Sequence, residues 1–134
     1  MKIEEIEVEK LKELKVKTMM LNDERQKGKI IYKIWDIVVV VILAVLADCN
    51  EWEEIADYAK DEKDFLKTFL KLTGGIPSAK TYERVISIID SHELNKIFVE
   101  FIKDIQFMED IYFKDILSFD GKVDKGSARN KGYI

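Results

Sequence analysis

Residues 37–47 read Ile-Val-Val-Val-Val-Ile-Leu-Ala-Val-Leu-Ala, without one polar side chain. A run of this kind has no face that water will accept, so the rest of the chain must fold around it. Crossing a bilayer takes roughly 20 apolar residues. Extending the run back to Ile30 brings in Lys33 and Asp36. The valines and isoleucines suit a strand by propensity. The length suits a helix. The expectation is a core helix buried on all sides. A membrane-associated segment over residues 30–47 is the rival, and recovery of all the protein without detergent excludes it.

The remainder of the chain can supply the covering. It has 134 residues, enough for one domain with a real core. Charged residues make up 36% and hydrophobic residues 47%, which excludes a disordered chain. One proline and six glycines leave little room for a many-turned β fold. The only cysteine, Cys49, excludes an internal disulfide and a cysteine zinc cluster. The acidic start, Met1-Lys2-Ile3-Glu4-Glu5, is not a signal peptide, so a cytoplasmic protein is expected.

Helical periods follow one another along the chain. Ile3, Ile6, Leu11, Leu14 and Leu21 form one stripe, which predicts a helix over 3–21. Residues 22–29 read as a polar linker. After the apolar run, Asn50 with Glu53 fits a capping box, and Trp52, Ile55, Ala56 and Ala59 follow the i, i+3, i+4, i+7 rule. Asp61 is expected to open a further helix with Phe65, Leu66, Phe69 and Leu70 as its buried face. Gly74-Gly75 is expected to end it. Ser78 caps the next element, whose face is Tyr82, Val85, Ile86 and Ile89. Ser91 is expected to cap the last helix, with Leu94, Ile97, Phe98, Phe101, Ile102 and Ile105 on a single stripe. Residues 108–114 read as a connector. Residues 115–120 read as a short strand, the first change from helical to extended patterning.

Charge is uneven. Residues 121–134 hold Lys122, Lys125, Arg129 and Lys131 against Asp124, a net of +3. The whole chain carries −4, so the first 120 residues carry −7. An acidic body argues against a strong, sequence-blind grip on nucleic acid. The basic tail reads as a solvated chain end.

Three motifs in order carry a resemblance. The stretch "ILAVLADCNEWEEIADYAKDEKDFLKTFL" precedes "GGIPSAKTYERVISIID" and then "ILSFDGK". Together they resemble the N-terminal part of insertion-sequence transposases of the H-repeat-associated type. The resemblance covers about residues 23–129. The order of the motifs carries it, and no single motif would. Those proteins are DDE transposases, in which a helical region precedes a catalytic domain of ribonuclease-H-like fold.

The resemblance implies a mainly α fold. About five or six helices would be followed by the first β-strand of an incomplete ribonuclease-H-like domain. It divides the chain into an N-terminal amphipathic helix (1–22), a helical transposase-associated domain (23–110) and the start of a catalytic domain (111–134). It implies that Asp120 is the first of three metal-binding carboxylates, for Mg2+ or Mn2+. Two such ions activate the nucleophile and stabilise the leaving oxygen in phosphodiester attack. The family's second Asp and its Glu have no counterpart in this sequence. A truncated transposase, catalytically inactive alone and binding no ion tightly, is therefore expected. Without the resemblance, Asp120-Gly121 reads as an ordinary turn.

The implied partners are DNA at insertion-sequence ends, a second copy, or a full-length transposase. Ser78, Lys80, Thr81 and Arg84 are candidate DNA contacts, because a helix N-terminus can hold a phosphate through its N–H groups. Arg84 shares a face with Lys80 and could reach a base edge. Lys122 joins this set. A plain helix–helix turn with polar residues facing water is the alternative for 75–84. The sequence departs from the family at Ala79-Lys80, where His-Asp is usual, and at Val123-Asp124-Lys125, where the family reads Thr-Leu-Arg. A non-enzymatic module that partners or inhibits a full-length relative is the other function kept open. In it, the unpaired edges of strand 115–120 would pair with another chain. His92 reads as a surface residue, Cys49 as a partly buried thiol, and Trp35 and Trp52 as core anchors. The acidic clusters Glu51-Glu53-Glu54 and Asp61-Glu62-Asp64 read as helix-start charges.

Overall fold

The computed structural model describes residues 6–21, 31–105, 119 and 121–123. Among them are six helices: α1 (Val8–Met19), α2 (Ile34–Leu46), α3 (Trp52–Asp61), α4 (Lys63–Leu66), α5 (Ala79–Ile88) and α6 (Ser91–Ile105). The fold is mainly helical, as the periodicity predicts.

The apolar run is the axis of this fold. From Ile34 to Leu46 every residue of α2 except Trp35 is buried. α1, α3 and α5 all pack against it, so each side of the helix meets another helix. A helix apolar on every face from Ile37 onward is stable only in such a setting. No described helix is long and apolar enough to cross a membrane. α2 stops because Asp48 turns into the left-handed region, at φ +69. The Asp48 N–H then reaches the Val45 carbonyl and the Cys49 N–H the Ala44 carbonyl, each at 3.0 Å. This is a Schellman closure, with aspartate where glycine is usual.

α1 is shorter than its stripe suggests. Ile6 lies ahead of the helix, at the position before the Glu7 cap, and Leu11 lies at the fourth helical position. Both are buried, the arrangement of a hydrophobic staple. Leu14 continues the buried face, and Thr18 is hidden with its hydroxyl donating to the Lys15 carbonyl at 2.7 Å. Ile3 and the 22–29 linker lie outside the described residues. α6 buries all six residues of its expected stripe and packs on α1. Lys17 of α1 reaches Glu100 at 3.2 Å and Asp104 at 3.8 Å on α6. These groups are more than a third exposed, so the pairs add little to stability.

Four local expectations are corrected. The capping box of α3 begins at Glu51, not Asn50: the Glu51 N–H donates to the Glu54 carboxylate at 3.1 Å. Asn50 with Glu53 has the same spacing, so spacing does not decide between them; the extended backbone of Glu51, at φ −106 and ψ 156, makes that residue the cap. Asp61 ends α3 instead of opening a helix, and α4 is one turn. Gly74-Gly75 does not end that helix, which has already stopped at Leu66. The glycines form a later turn, with φ of +89 and +92 and the Gly75 N–H on the Leu72 carbonyl at 3.0 Å. The cap of α6 is Asp90, one residue before Ser91. Its Oδ1 accepts the His92 N–H at 2.9 Å and the Glu93 N–H at 3.1 Å. The charged oxygen outcompetes the hydroxyl at a helix N-terminus.

The expected connector 108–114 lies outside the described residues, as does the expected strand 115–120 except for Phe119. Phe119 is in helical conformation, as are Gly121, Lys122 and Val123.

Candidate nucleic-acid interface

The turn into α5 is built from the loop that precedes it. Gly74 occupies the third position of a turn closed from Leu72 to Gly75, where a positive φ is needed. It also lies against residue 31: a Cβ there would sit 2.8 Å from the Ile31 carbonyl oxygen and 2.9 Å from the Ile31 Cγ2. Only glycine fits this approach. Pro77 is buried and holds the chain extended into the helix start.

Ser78 then caps α5 as expected. Its Oγ accepts the Thr81 N–H at 3.4 Å and lies 3.3 Å from the Thr81 hydroxyl. The first-turn amides of Ala79 and Lys80 are left without helical carbonyl partners by the geometry of any helix start. Tyr82, Val85, Ile86 and Ile89 are buried, which anchors one face of α5 and turns the other outward. Ser78, Lys80 and Arg84 are exposed and Thr81 is half-buried. Among the described residues, Lys80 and Arg84 take part in no ion pair. No acidic residue sits in the first turn. Four of the five candidate DNA contacts thus lie at one exposed helix start.

Asp120 lies outside the described residues. Lys122 sits at a different corner, with its ammonium 5.0 Å from the Trp52 ring centroid and bonded to the Asn50 carbonyl. Trp52 and Trp35 are half-buried and packed on the core, as expected. Each has a lysine ammonium over its ring, Lys33 standing 5.7 Å from Trp35. Among the described residues, no three His, Cys, Asp or Glu side chains are gathered to hold a metal ion. One matching carboxylate does not make a two-ion site, so no step is routed through a metal here.

Under the α5 turn lies a feature that the sequence reading passed over. Asp36, in the first turn of α2, is 5% exposed. It lines a small cavity with Tyr32, Leu72, Thr73, Gly75, Pro77 and Tyr82. Neither of its oxygens meets a donor in hydrogen-bond geometry. Burial pushes its pKa up, and this outweighs the opposing pull of Lys15, of the Thr73 and Leu72 amides and of Lys33. Tyr82 is pushed up as well, by burial first and then by Asp36 and Tyr32. The only signal in the sequence was an acid one residue before an unbroken apolar run. His92 is exposed. Cys49 is half-buried and held as a thiol, by burial and then by Glu54 and Asp48.

A family model described as DDE_Tnp_1-associated matches residues 19–102, from the end of α1 through most of α6. The chain is 36% identical over 118 residues to "Putative transposase YncI" of Escherichia coli O157:H7, covering 86% of this chain and 30% of that protein. It is 33% identical over 127 residues to "H repeat-associated putative transposase YbfD" of Escherichia coli (strain K12), covering 92% and 49%. It is also 36% identical over 77 residues to "Inactive transposase YbfQ" of the same strain, covering 58% and 92%. No solved structure matches. The chain spans about a third to a half of the length of the first two relatives. With the family's model laid over α2–α5 and most of α6, the chain belongs to the DDE_Tnp_1-associated family and corresponds to the N-terminal region of H-repeat-associated transposases.

Proposed function

We propose that this chain is the DNA-contacting helical part of an insertion-sequence transposase, and that the start of α5 is its contact with DNA. The observation that carries the reading is the turn of Ser78, Lys80, Thr81 and Arg84, with two exposed cations one helical turn apart that form no ion pair among the described residues. Lys80 and the first-turn amides meet a phosphate, and Arg84 reaches towards a base edge. In the same reading Asp120 is the first carboxylate of a Mg2+- or Mn2+-dependent DDE site, which needs further carboxylates to act.

The test is fluorescence anisotropy on a labelled duplex over a range of salt. Each phosphate contact contributes about 0.9 to the slope of log K against log salt. The double variant Lys80→Ala/Arg84→Ala is expected to bind more weakly, with the slope reduced by about 1–2. Lys96→Ala, an exposed cation on α6, is expected to change neither. Identical affinity and slope for the double variant and the wild type would remove α5 from the interface.

A second reading is a non-enzymatic partner or inhibitor of a full-length transposase. It is supported by a shorter relative, 92% of which matches 58% of this chain, that is named an inactive transposase. Co-purification with a full-length relative, and loss of that relative's transposition when this chain is co-expressed, is the outcome that would favour it.

A further inference from the structure

The Phe-Asp-Gly-Lys-Val segment is tied to the helical body on both sides of its aspartate. On one side, Phe119 is wholly buried and lies flat on Phe98 of α6, with ring centroids 4.2 Å apart and planes 7° from parallel. On the other, Lys122 places its ammonium over Trp52, the first residue of α3, and donates to the Asn50 carbonyl in the α2–α3 turn. Val123 is wholly buried as well. These contacts use two parts of the helical body that are far apart in sequence, the 50–52 corner and Phe98 of α6. A solvated chain end would bury neither a phenylalanine nor a valine completely.

We propose that the surface formed by Phe98, Trp52 and the Asn50 carbonyl is the seat of the chain's own Phe119 and Lys122, so that the helical region positions the residues that flank Asp120. Phe98 and Trp52 are then positioning residues: they hold the backbone on either side of Asp120 and touch no substrate. Lys122 is a strut between segment and body, not a DNA contact. The positioning role rests on the reading of Asp120 as a metal ligand; the docking itself does not.

The seat fits this segment by chemistry. A flat aromatic face takes the Phe119 ring. An indole beside a backbone carbonyl takes a cation one helical turn on. The spacing Phe-x-x-Lys puts ring and ammonium on the two places that receive them, and Val123 beside them is buried. An exposed strand edge offered to a second chain is hard to reconcile with a Phe119 that is fully covered within its own chain.

The test is amide hydrogen exchange of the whole chain, read by mass spectrometry, with indole emission alongside. In the wild type, the peptide covering 119–123 is expected to exchange at least about tenfold more slowly than a free chain. Phe98→Leu keeps an apolar side chain in the body but loses the stack. Trp52→Leu removes the ring under Lys122. Each is expected to lower protection at 119–123 by about tenfold while α2 stays protected, the scale of one lost ring contact. Lys122→Gln changes only the segment and cannot unfold the body. It is expected to release 119–123 and shift the indole emission, and Lys122→Arg to restore both. Free exchange of 119–123 in the wild type would overturn the proposal. So would protection unchanged in Phe98→Leu, Trp52→Leu and Lys122→Gln alike. No readout involves DNA or a metal, so the docking stands or falls apart from the proposed function.

Discussion

Gly74 and Gly75 offer a controlled measurement of what shapes the turn before α5. Both have a left-handed backbone, with φ of +89 and +92. Alanine at either position has the same conformational strain, about 1–2 kcal/mol. Part of that is offset, because alanine also narrows the unfolded chain by about 0.4–1 kcal/mol. A Cβ on Gly75 meets nothing within 4 Å. Gly75→Ala should therefore cost only about 1 kcal/mol. A Cβ on Gly74 meets a backbone oxygen, that of Ile31 at 2.8 Å, and two side-chain atoms, the Ile31 Cγ2 at 2.9 Å and the Tyr32 Cδ1 at 3.3 Å. A carbonyl at the entry to α2 cannot step aside as a flexible side chain would. Forcing it adds a repacking cost of about 1–3 kcal/mol. Gly74→Ala should thus cost about 2–4 kcal/mol, with Gly75→Ala as the internal control. Urea denaturation followed by circular dichroism gives both values, and the m-value should stay unchanged. Equal losses for the two variants would refute the close approach of the loop to residue 31. If the α5 turn also carries DNA, Gly74→Ala should weaken binding more than Gly75→Ala.

Two further expectations concern charge. Asp36 has a raised pKa in the fold, so the native carboxyl keeps its proton at a pH where the unfolded chain has lost it. Stability therefore falls as pH rises from the ordinary value of 3.8 through the raised one, and the loss persists above it. Asp36→Asn, with the same shape and no charge, should raise Tm at neutral pH and leave it nearly unchanged at about pH 3; a Tm equal to the wild type at neutral pH would count against the buried charge. At the start of α6, Asp90→Ala removes an acceptor for two N–H groups and should cost about 1 kcal/mol by thermal denaturation. Ser91→Ala should cost almost nothing, and the reverse order would return the cap to Ser91.

Much of this protein was determined by its sequence alone. Periodicity marks a buried face because a helix meets its core every three or four residues. The stripes of α5 and α6 are therefore legible residue by residue, as is the burial of the run from Ile37, which has no polar side to expose. Ser78 was legible as a cap because its hydroxyl has no rival at that helix start. Where two acceptors compete one residue apart, only the fold decides. At Asp90 and Ser91, and at Asn50 and Glu51, the carboxylate takes the orphan amides, because the preceding turn sets which residue stands at the helix mouth.

Contacts between distant parts of the chain leave no local period to read. The residue that requires glycine at position 74 is Ile31. Asp36 becomes a buried acid only when the 72–77 loop and Tyr82 close over the start of α2. Lys122 looks in sequence like one more cation of a basic tail, and Phe119 like part of a strand. Tertiary structure sets the first over Trp52 and the second against Phe98, because a half-covered indole and a flat aromatic face lie where the chain returns. The sequence determines which faces must be buried; only the packed structure decides which distant residues bury them.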